Sequence, residues 1–404
     1  MHWIESAGSR KKCWPSSIDN ARPIRYYNRM PASARPSIID LFAGVGGISL
    51  GAARAGFELK CAVELDERAV AAHRLNFPGA NHLQKDISLL SGKTLLESTG
   101  LRSGHLHGLV GGPPCQGFSS IGMNLADDPR NAMVQHFCRL VGETNPAFFL
   151  FENVPGILRP RNRAVLDAAL NSLPAHYILL APITLDASHC GAATSRTRVF
   201  FIGFDPNRVR KITELDFVPD KVLSTVRVKH AFAGLPAIRS AWATEVQSWR
   251  ATEKLSGSHF NDRVSGVIPP GVGDKGALTK YQKSGLISGC LGTLHTEETI
   301  KRFAGLKPGE VDSISKARRL DVEGLCPTLR AGTGPERGSF QAVRPIHPRA
   351  PRVISPREAA RLQGFPDWFV FDHTKWHAFR QIGNSVSPLV SEFALSKLRS
   401  AIGV

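Results

Sequence analysis

The residues best suited to covalent chemistry lie in the stretch Gly111-Gly112-Pro113-Pro114-Cys115-Gln116. Leu109 and Val110 close a short apolar run just before it, so the cysteine follows a predicted buried strand in a turn that glycine and proline make rigid. A thiol presented at such a turn can act as a nucleophile. The alternative is a packed loop cysteine, because free cysteine behaves as a small hydrophobic residue and is usually buried.

A carboxylate and two arginines could complete a site around this thiol. Glu152 ends the apolar run 148–151, where desolvation favours the protonated carboxyl and lets it hold or give a proton. Arg196 and Arg198 start a later apolar run, and strand alternation predicts that both side chains lie on the same side. Two converging guanidinium groups suit an anion or a carbonyl oxygen. The alternatives are a capping carboxylate and a pair of ordinary surface arginines.

A glycine-rich turn, 40–49, follows the first apolar run and opens a helix, which is where a parallel sheet binds nucleotides. A dinucleotide fingerprint running through Gly44 and Gly46 would need a small residue at Ser49, and serine fits poorly. Glu64 ends the next predicted strand, where it can accept the hydroxyls of a ribose, and Asp86 ends the third, where it can meet an adenine amino group. The alternative for each carboxylate is a solvated strand end.

The segments that must position these residues alternate between short apolar runs and helix-like stretches from Ser37 onward, which predicts an α/β fold with a parallel sheet and crossover helices. The predicted strands are 37–42, 59–65, 106–110, 148–151 and a closing pair, 177–185 and 198–204. The predicted helices are 47–55, 67–76, 131–142, 163–173, 356–364 and 387–399.

The remaining regions lack this alternation. Residues 1–36 form a predicted basic arm with seven lysines and arginines against two acidic residues. Residues 205–350 are rich in glycine, proline, serine and basic residues, and we predict a second domain there. Residues 351–404 are predicted to return to the first domain, 37–204.

The charge balance points to a polyanionic partner. The chain has 51 lysines and arginines against 34 acidic residues, a formal net charge of +17, and such a surface attracts nucleic acid by counterion release. Its seven cysteines form no CxxC pair and have no nearby histidine at metal-ligand spacing, so we predict neither a metal site nor a disulfide framework. The start, 1–10, lacks the apolar core of a signal peptide, and no run reaches membrane-spanning length. We expect a monomer that is cytoplasmic and nucleoid-associated.

Six motifs, in this order, resemble those of the C5-cytosine DNA methyltransferases. They are the cofactor turn Asp40-Leu41-Phe42-Ala43-Gly44-Val45-Gly46-Gly47, the nucleophile motif Pro113-Pro114-Cys115-Gln116, Glu152-Asn153-Val154, Arg196-Thr197-Arg198, Arg361-Leu362-Gln363-Gly364-Phe365-Pro366 and Gln381-Ile382-Gly383-Asn384-Ser385-Val386. The resemblance covers about 37–204 and 352–395.

This resemblance implies a Rossmann-like S-adenosylmethionine-dependent methyltransferase domain with a smaller, irregular target-recognition domain at 205–350. It implies a methyl transfer to carbon 5 of a flipped cytosine in double-stranded DNA, with Cys115 as the carbon 6 nucleophile and Glu152, Arg196 and Arg198 around the base. The implied cofactor residues are Phe42, Gly44, Gly46, Gly47, Glu64, Asp86, Ile87, Asn384 and Val386. Ser119 and Arg130 fall in the implied mobile loop 119–131, and Thr328, Leu329 and Arg330 in a segment where DNA contacts are expected. Thr194 stands where the family usually has glutamine, which puts the fine positioning of the site in doubt.

Three other readings stay open on the sequence. A tRNA cytosine methyltransferase would share the catalytic residues, although the long region 205–350 favours DNA. A catalytically silent DNA-binding homologue would be expected to lack Cys115 or Glu152, and both are present. A nicotinamide dehydrogenase is disfavoured by Ser49. The sequence gives neither the recognition site nor the setting, which could be a restriction enzyme, a phage-defence system or solitary regulation.

Overall fold

The computed structural model describes residues 35–114, 132–238, 248–331 and 344–402. Residues 1–34 of the predicted arm and the predicted site residues Cys115, Ser119 and Arg130 lie outside these ranges. None of the described helices has both the length and the apolar character needed to cross a membrane.

Ten strands are described. They are β1 (Ser37–Leu41), β2 (Glu58–Glu64), β3 (Asn81–Gln84), β4 (Gly108–Gly111), β5 (Phe148–Asn153), β6 (Ile178–Leu179), β7 (Ile183–Asp186), β8 (Thr197–Phe204), β9 (Arg250–Ala251) and β10 (Leu286–Ile287).

The α-helices of the described ranges are α1 (Gly47–Arg54), α2 (Glu67–Asn76), α3 (Gly92–Thr99), α4 (Ala132–Thr144), α5 (Arg163–Asn171), α6 (Val228–Phe232), α7 (His259–Asn261), α8 (Lys275–Ser284), α9 (Glu297–Gly305), α10 (Pro356–Leu362), α11 (Lys375–Asn384) and α12 (Pro388–Ala401). Local sequence signals set several of their ends. Asp66 caps α2 by accepting from the Ala69 amide at 2.9 Å. Ser355 and Glu358 form a reciprocal capping box at the start of α10, with Pro356 in the first turn.

The main sheet has eight strands in the order β3-β2-β1-β4-β5-β8-β6, with β7 also pairing with β8. Strands β1 to β5 are parallel, as expected, but β8 is antiparallel to β5, β6 and β7. The expectation of a wholly parallel sheet is therefore wrong at this edge. The predicted strand 177–185 is two strands, because Pro182 has no backbone N–H with which to continue the pairing.

Each face of this sheet carries its own apolar core. Ile38 and Phe148 belong to one core, whereas their neighbours Ile39 and Phe149 belong to the other, as the two-residue period of a strand requires. The first core includes side chains of α1, α10 and α12, and the second includes side chains of α3, α4 and α5. The chain has an α/β, Rossmann-like fold with a three-layer arrangement of helices, sheet and helices.

The described residues of 205–238 and 248–331 form short helices, a π-helix at Asp262–Gly266 and the two-stranded pair β9–β10. The domain boundaries proposed from the sequence at 204 and 350 stay predictions. α12 packs along α1, where the Ser391 hydroxyl donates to the Gly47 carbonyl at 2.8 Å. This contact brings the far end of the chain onto the helix that follows the glycine-rich turn.

Candidate active site

A cavity of about 740 Å³ opens at the carboxyl ends of the central strands. The residues that line it include Phe42 after β1, Glu64 at the end of β2, Gly112 after β4 and Glu152 in β5. In open α/β sheets, ligands bind at this edge, where loops from neighbouring strands converge. Most of the predicted site residues that are described meet here: Phe42, Gly44, Gly47, Glu64, Asp86, Ile87, Glu152, Arg196, Arg198, Asn384 and Val386.

The glycine-rich turn has the backbone conformation that its sequence predicts. Gly44 and Gly46 have φ of 54° and 103°, and Phe42 also has positive φ, at 57°. The Glu64 carboxylate holds the turn, because one oxygen accepts from the Gly44 amide at 2.9 Å and the other accepts from the Leu65 and Asp66 amides at 2.8 and 2.9 Å. Each carboxylate oxygen can accept more than one hydrogen bond, so Glu64 can hold the turn and still accept from a ligand hydroxyl.

Gly47 explains why the C-terminal motif is part of this site. A Cβ atom at this position would overlap the Ser385 hydroxyl and the Val386 carbonyl oxygen. The segment after α11 therefore lies directly against the start of α1, and it places Asn384 and Val386 at the cavity. Only glycine allows this approach of two backbones.

Gly46 differs from the other predicted cofactor residues, since it is not among the residues that line the cavity. Its Cβ position points to the rings of Phe77 and His73, on the inner side of the turn. Its assignment as a cofactor residue stays a prediction. In the structure, the absence of a side chain at Gly46 lets the turn pack on α2.

Behind the turn lies a buried polar chain. The Ser49 hydroxyl donates to Asp40 Oδ2 at 2.6 Å and lies 3.0 Å from His73 Nε2, and His73 Nδ1 lies 2.9 Å from His82 Nε2. Burial raises the pKa of Asp40 to about 7 and lowers the pKa of His73 well below its ordinary value. Ser49, which fits a dinucleotide fingerprint poorly, is thus a buried link between β1 and α2.

Asp86 lies two residues beyond the end of β3 at Gln84, so the prediction that it ends this strand is wrong. It instead caps the short 3₁₀-helix Ile87–Leu89, with Oδ1 accepting from the Ser88 amide and hydroxyl, each at 2.8 Å. The Ser88 amide and then its hydroxyl lower the pKa of Asp86, so the carboxylate stays ionised as an acceptor at the cavity.

Glu152 and Arg198 form an ion pair with 2.6 Å between Arg198 Nε and Glu152 Oε1. Both side chains are largely buried, with 11% and 13% exposed. The turn that leads to Cys115 is close by, since the side-chain Nδ2 of Asn153 donates to the Pro113 carbonyl at 3.2 Å and a Cβ at Gly112 would lie 3.5 Å from Glu152 Oε2. An acid, a cation and the described start of the cysteine turn therefore share one wall of the cavity.

Arg196 is 3% exposed and donates from Nη1 to the Leu329 carbonyl at 3.1 Å. Leu329 is itself buried, so its side chain does not offer the predicted DNA contact at the surface. Thr328 and Arg330 are exposed, and the Thr328 hydroxyl donates to the Ser195 carbonyl at 2.7 Å. The predicted recognition segment thus lies beside the two arginines.

Other residues of the cavity wall had not been predicted as site residues. Those with ionisable side chains are Asp66, Arg68, Lys85, His377 and Arg380. Arg380 Nη1 lies 2.9 Å from Asp66 Oδ2, which joins the two helices across the opening. The sequence signal available for them was proximity, because Asp66 follows Glu64 and Arg380 immediately precedes the last motif.

The family model for "C-5 cytosine-specific DNA methylase" matches residues 37–400. The chain is 37% identical over 370 residues to the Type II methyltransferase M.XorII of Xanthomonas oryzae pv. oryzae, covering 91% of this chain and 85% of the relative. It is 30% identical over 391 residues to the Type II methyltransferase M.DdeI of Desulfomicrobium norvegicum, covering 88% and 86%.

Solved structures give the same picture. A candidate DNA modification methyltransferase encoded within a prophage (E. coli) has a TM-score of 0.81 and 46% identity, covering 91% of this chain and 99% of the other. The S. pombe Dnmt2 methyltransferase, at 16% identity and a TM-score of 0.58, is similar in fold alone, over 90% and 98% of the two chains. The family model and the relatives, taken with the cavity, show that this chain belongs to the C-5 cytosine-specific DNA methylase family of DNA cytosine methyltransferases.

Proposed function

We propose that this enzyme transfers a methyl group from S-adenosylmethionine to carbon 5 of a flipped cytosine within a specific duplex DNA sequence, through a covalent bond between Cys115 and carbon 6. The observation that carries this proposal is the Glu152–Arg198 ion pair, which lies beside the turn leading to Cys115 and in the same cavity as the glycine-rich turn. One cavity therefore offers space for the methyl donor beside the glycine-rich turn and for the target cytosine beside the ion pair.

The residues present fit an adenosine cofactor. Glu64 keeps acceptor capacity toward the cavity, Asp86 is held ionised, and the open glycine turn leaves space where Gly44 has no atom within 4 Å of a Cβ position. S-adenosylmethionine, when bound, supplies an electrophilic methyl group. Glu64 would accept from the ribose hydroxyls, Asp86 from the adenine amino group, and Phe42, Ile87, Asn384 and Val386 would enclose the ligand.

Carbon 5 of cytosine is a poor nucleophile by itself. Addition of the Cys115 thiolate to carbon 6 forms a carbon–sulfur bond and shifts electron density to carbon 5, which then attacks the methyl group. Glu152, which is paired with Arg198 before the base arrives, would take up a proton from solvent, meet N3 and the exocyclic amino group, and pass that proton to N3 as negative charge develops there. A positioned proton transfer of this kind contributes roughly 10²–10⁴-fold.

Arg198, and Arg196 beside it, would face the O2 oxygen of the base and supply the positive field that favours a thiolate. Transfer of the methyl group would leave S-adenosylhomocysteine. Water would then take the carbon 5 proton, the carbon 6–sulfur bond would break to release the Cys115 thiolate, and N3 would return its proton to Glu152. The Glu152–Arg198 pair holds both side chains in place before the base arrives, so little reorganisation is needed when it enters.

The target base must leave the duplex to reach this cavity, which costs a few kcal/mol of pairing and stacking. The predicted mobile loop 119–131 lies outside the described residues. The net charge of +17 would favour the approach of DNA. A monomer in the cytoplasm, associated with the nucleoid, suits this role, with a restriction or phage-defence partner as one possible setting.

The test is incubation of the purified protein with labelled S-adenosylmethionine and either mixed-sequence duplex DNA or tRNA, followed by nucleoside analysis. We expect 5-methylcytosine in DNA, and its absence across many duplexes would refute the proposal. Methylation of the tRNA alone would show that the substrate is tRNA and would refute the proposed action on DNA.

The nucleophile is tested by trapping on DNA that contains 5-fluorocytosine. The wild type and the matched control Cys13→Ala should form a covalent complex, and Cys115→Ala should form none while still binding S-adenosylmethionine. A covalent complex with Cys115→Ala would place the nucleophile elsewhere.

A further inference from the structure

The segments 326–330 and 193–196 lie side by side; backbone hydrogen bonds join them at Cys326, and side-chain hydrogen bonds join them beyond it. We refer to this contact as the seam. The Cys326 amide donates to the Ala193 carbonyl, and the Ser195 amide donates to the Cys326 carbonyl, each at 2.9 Å. Thr194 and Cys326 form a parallel bridge. The seam therefore joins the predicted target-recognition region to the residues that lead directly into Arg196 and Arg198.

Side chains reinforce the seam from both segments. The buried Thr194 hydroxyl donates to the Cys326 carbonyl at 3.0 Å, and the Thr328 hydroxyl donates to the Ser195 carbonyl at 2.7 Å. Arg196 then reaches the Leu329 carbonyl. Thr194 is the residue that stands in place of the expected glutamine, and here its hydroxyl is part of a contact between two regions of the chain.

The far end of the seam lies against the cofactor side of the cavity. A Cβ at Gly383 would come within 2.6 Å of the Ala331 amide nitrogen and 2.7 Å of the Arg330 carbonyl carbon. Gly383 precedes Asn384, which lines the cavity. The recognition segment is thus held between the start of β8 and the end of α11, with no free space on the α11 side.

We propose that Thr194 is a positioning residue that fixes the register of the seam, so that DNA contacts made by 328–330 set the placement of Arg196 and Arg198. This inference rests on the proposed function of these arginines toward the base. The Thr328 hydroxyl and the Arg196 guanidinium tie 328–329 to 195–196, so a shift of 328–330 on DNA is passed to the arginine segment. Correct DNA contacts then favour the reactive arrangement, and incorrect ones do not.

The experiment compares Thr194→Val, which removes the hydroxyl at nearly constant volume, with Thr194→Ser, which keeps it. The Cys326 carbonyl still accepts from the Ser195 amide in Thr194→Val, so no acceptor is left without a donor. The matched control is Thr144→Val, because Thr144 is equally buried and its hydroxyl donates to the Leu140 carbonyl in α4.

The preferred DNA site is first identified by sequencing DNA that the wild type has methylated. The single-turnover methylation rate is then measured on that site and on duplexes in which one base pair of it is altered. Loss of one hydrogen bond corresponds to about fivefold, so Thr194→Val should reduce the rate ratio between the preferred and the altered duplexes by about fivefold. Thr194→Ser and Thr144→Val should keep the wild-type ratio, and binding of S-adenosylmethionine should be unchanged in all three.

A Thr194→Val enzyme with the wild-type ratio would overturn the inference, as would an equal loss in Thr144→Val. If Thr194→Val does not fold, the exposed Thr328 gives the same test. Thr328→Val should then lose discrimination and Thr328→Ser should keep it, and a wild-type rate ratio in Thr328→Val would overturn the inference. A wild type that methylates no DNA would instead refute the proposed function.

Discussion

Gly47 offers a sharp test of how the cofactor site is built, because two regions of the chain meet there without room for a methyl group. In Gly47→Ala, the new Cβ would overlap the Ser385 hydroxyl and the Val386 carbonyl oxygen and lie 3.2 Å from the Val386 carbonyl carbon. Ordinary carbon contacts are about 3.5–4.0 Å, so the segment 385–386 must retreat by roughly 1 Å or α1 must shift.

Gly51→Ala is the matched control. Gly51 lies one turn further along α1, and its Cβ would collide with Ser391 and Glu392 of α12, but Gly51 is not among the residues that line the cavity. Overpacking at either position costs roughly 1–3 kcal/mol, and the gain in helix propensity from glycine to alanine applies to both. The two variants should therefore lose similar stability.

They should differ in cofactor binding. The displaced wall in Gly47→Ala carries Val386 and Asn384, so a loss of about 1.4 kcal/mol or more at the cavity corresponds to at least about tenfold weaker binding of S-adenosylmethionine. Isothermal titration gives the affinity and thermal unfolding gives the stability of the two variants. Equal affinities for S-adenosylmethionine at equal stability would refute the idea that the approach of 385–386 to α1 shapes the site.

Three further variants test the separate parts of the site. Glu152→Gln should slow single-turnover methyl transfer by roughly 10²–10⁴-fold at unchanged affinity for S-adenosylmethionine, and a rate near that of the wild type would exclude Glu152 as the proton donor. Asp86→Asn should weaken binding of S-adenosylmethionine by about tenfold through loss of a charged acceptor, while Asp167→Asn, at an exposed ion pair of α5, should not; equal affinities would contradict the role of Asp86. Burial raises the pKa of Asp40 from 3.8 to about 7. As pH rises, the unfolded chain therefore loses the Asp40 proton before the folded protein does, and the free energy of unfolding falls through this interval. Asp40→Asn should remove that part of the pH dependence in urea unfolding at about pH 5 and pH 8, and an unchanged pH dependence would argue against the buried acid.

The order of strands and helices over 37–76 could be predicted from the sequence because each element there carries its own local signal. Apolar runs give the strands, Asp66 caps a helix, and glycine marks the turn. The direction of β8 could not be predicted in this way, since an apolar run is the same whether its neighbours are parallel or antiparallel. The short helices α6, α8 and α9 lie in the region predicted to be irregular, because each is isolated among segments rich in glycine, proline and serine.

The motif residues around the cavity were found from the sequence because they follow strand ends, and parallel strands bring these ends to one edge. The orientation of individual side chains could not be found in this way. Gly46 faces α2, Leu329 is buried, and Thr194 bonds to a segment 132 residues away, all of which depend on tertiary contacts. The charged residues of α11 were missed although Arg380 immediately precedes the last motif, because adjacency in sequence does not show which side chains face the cavity.

The packing of α12 on α1 has a consequence for synthesis of the chain. The Ser391–Gly47 hydrogen bond spans 344 residues, and Val386 reaches the turn over a similar distance. A ribosome makes roughly 5–20 residues per second, so α12 is synthesised about 20 seconds or longer after the glycine-rich turn that it packs against. During this interval the apolar face of α1 lacks its partner, which makes the nascent chain dependent on late, long-range closure and exposed to aggregation. We expect methylation activity only in chains that include the segment 385–386 and α12.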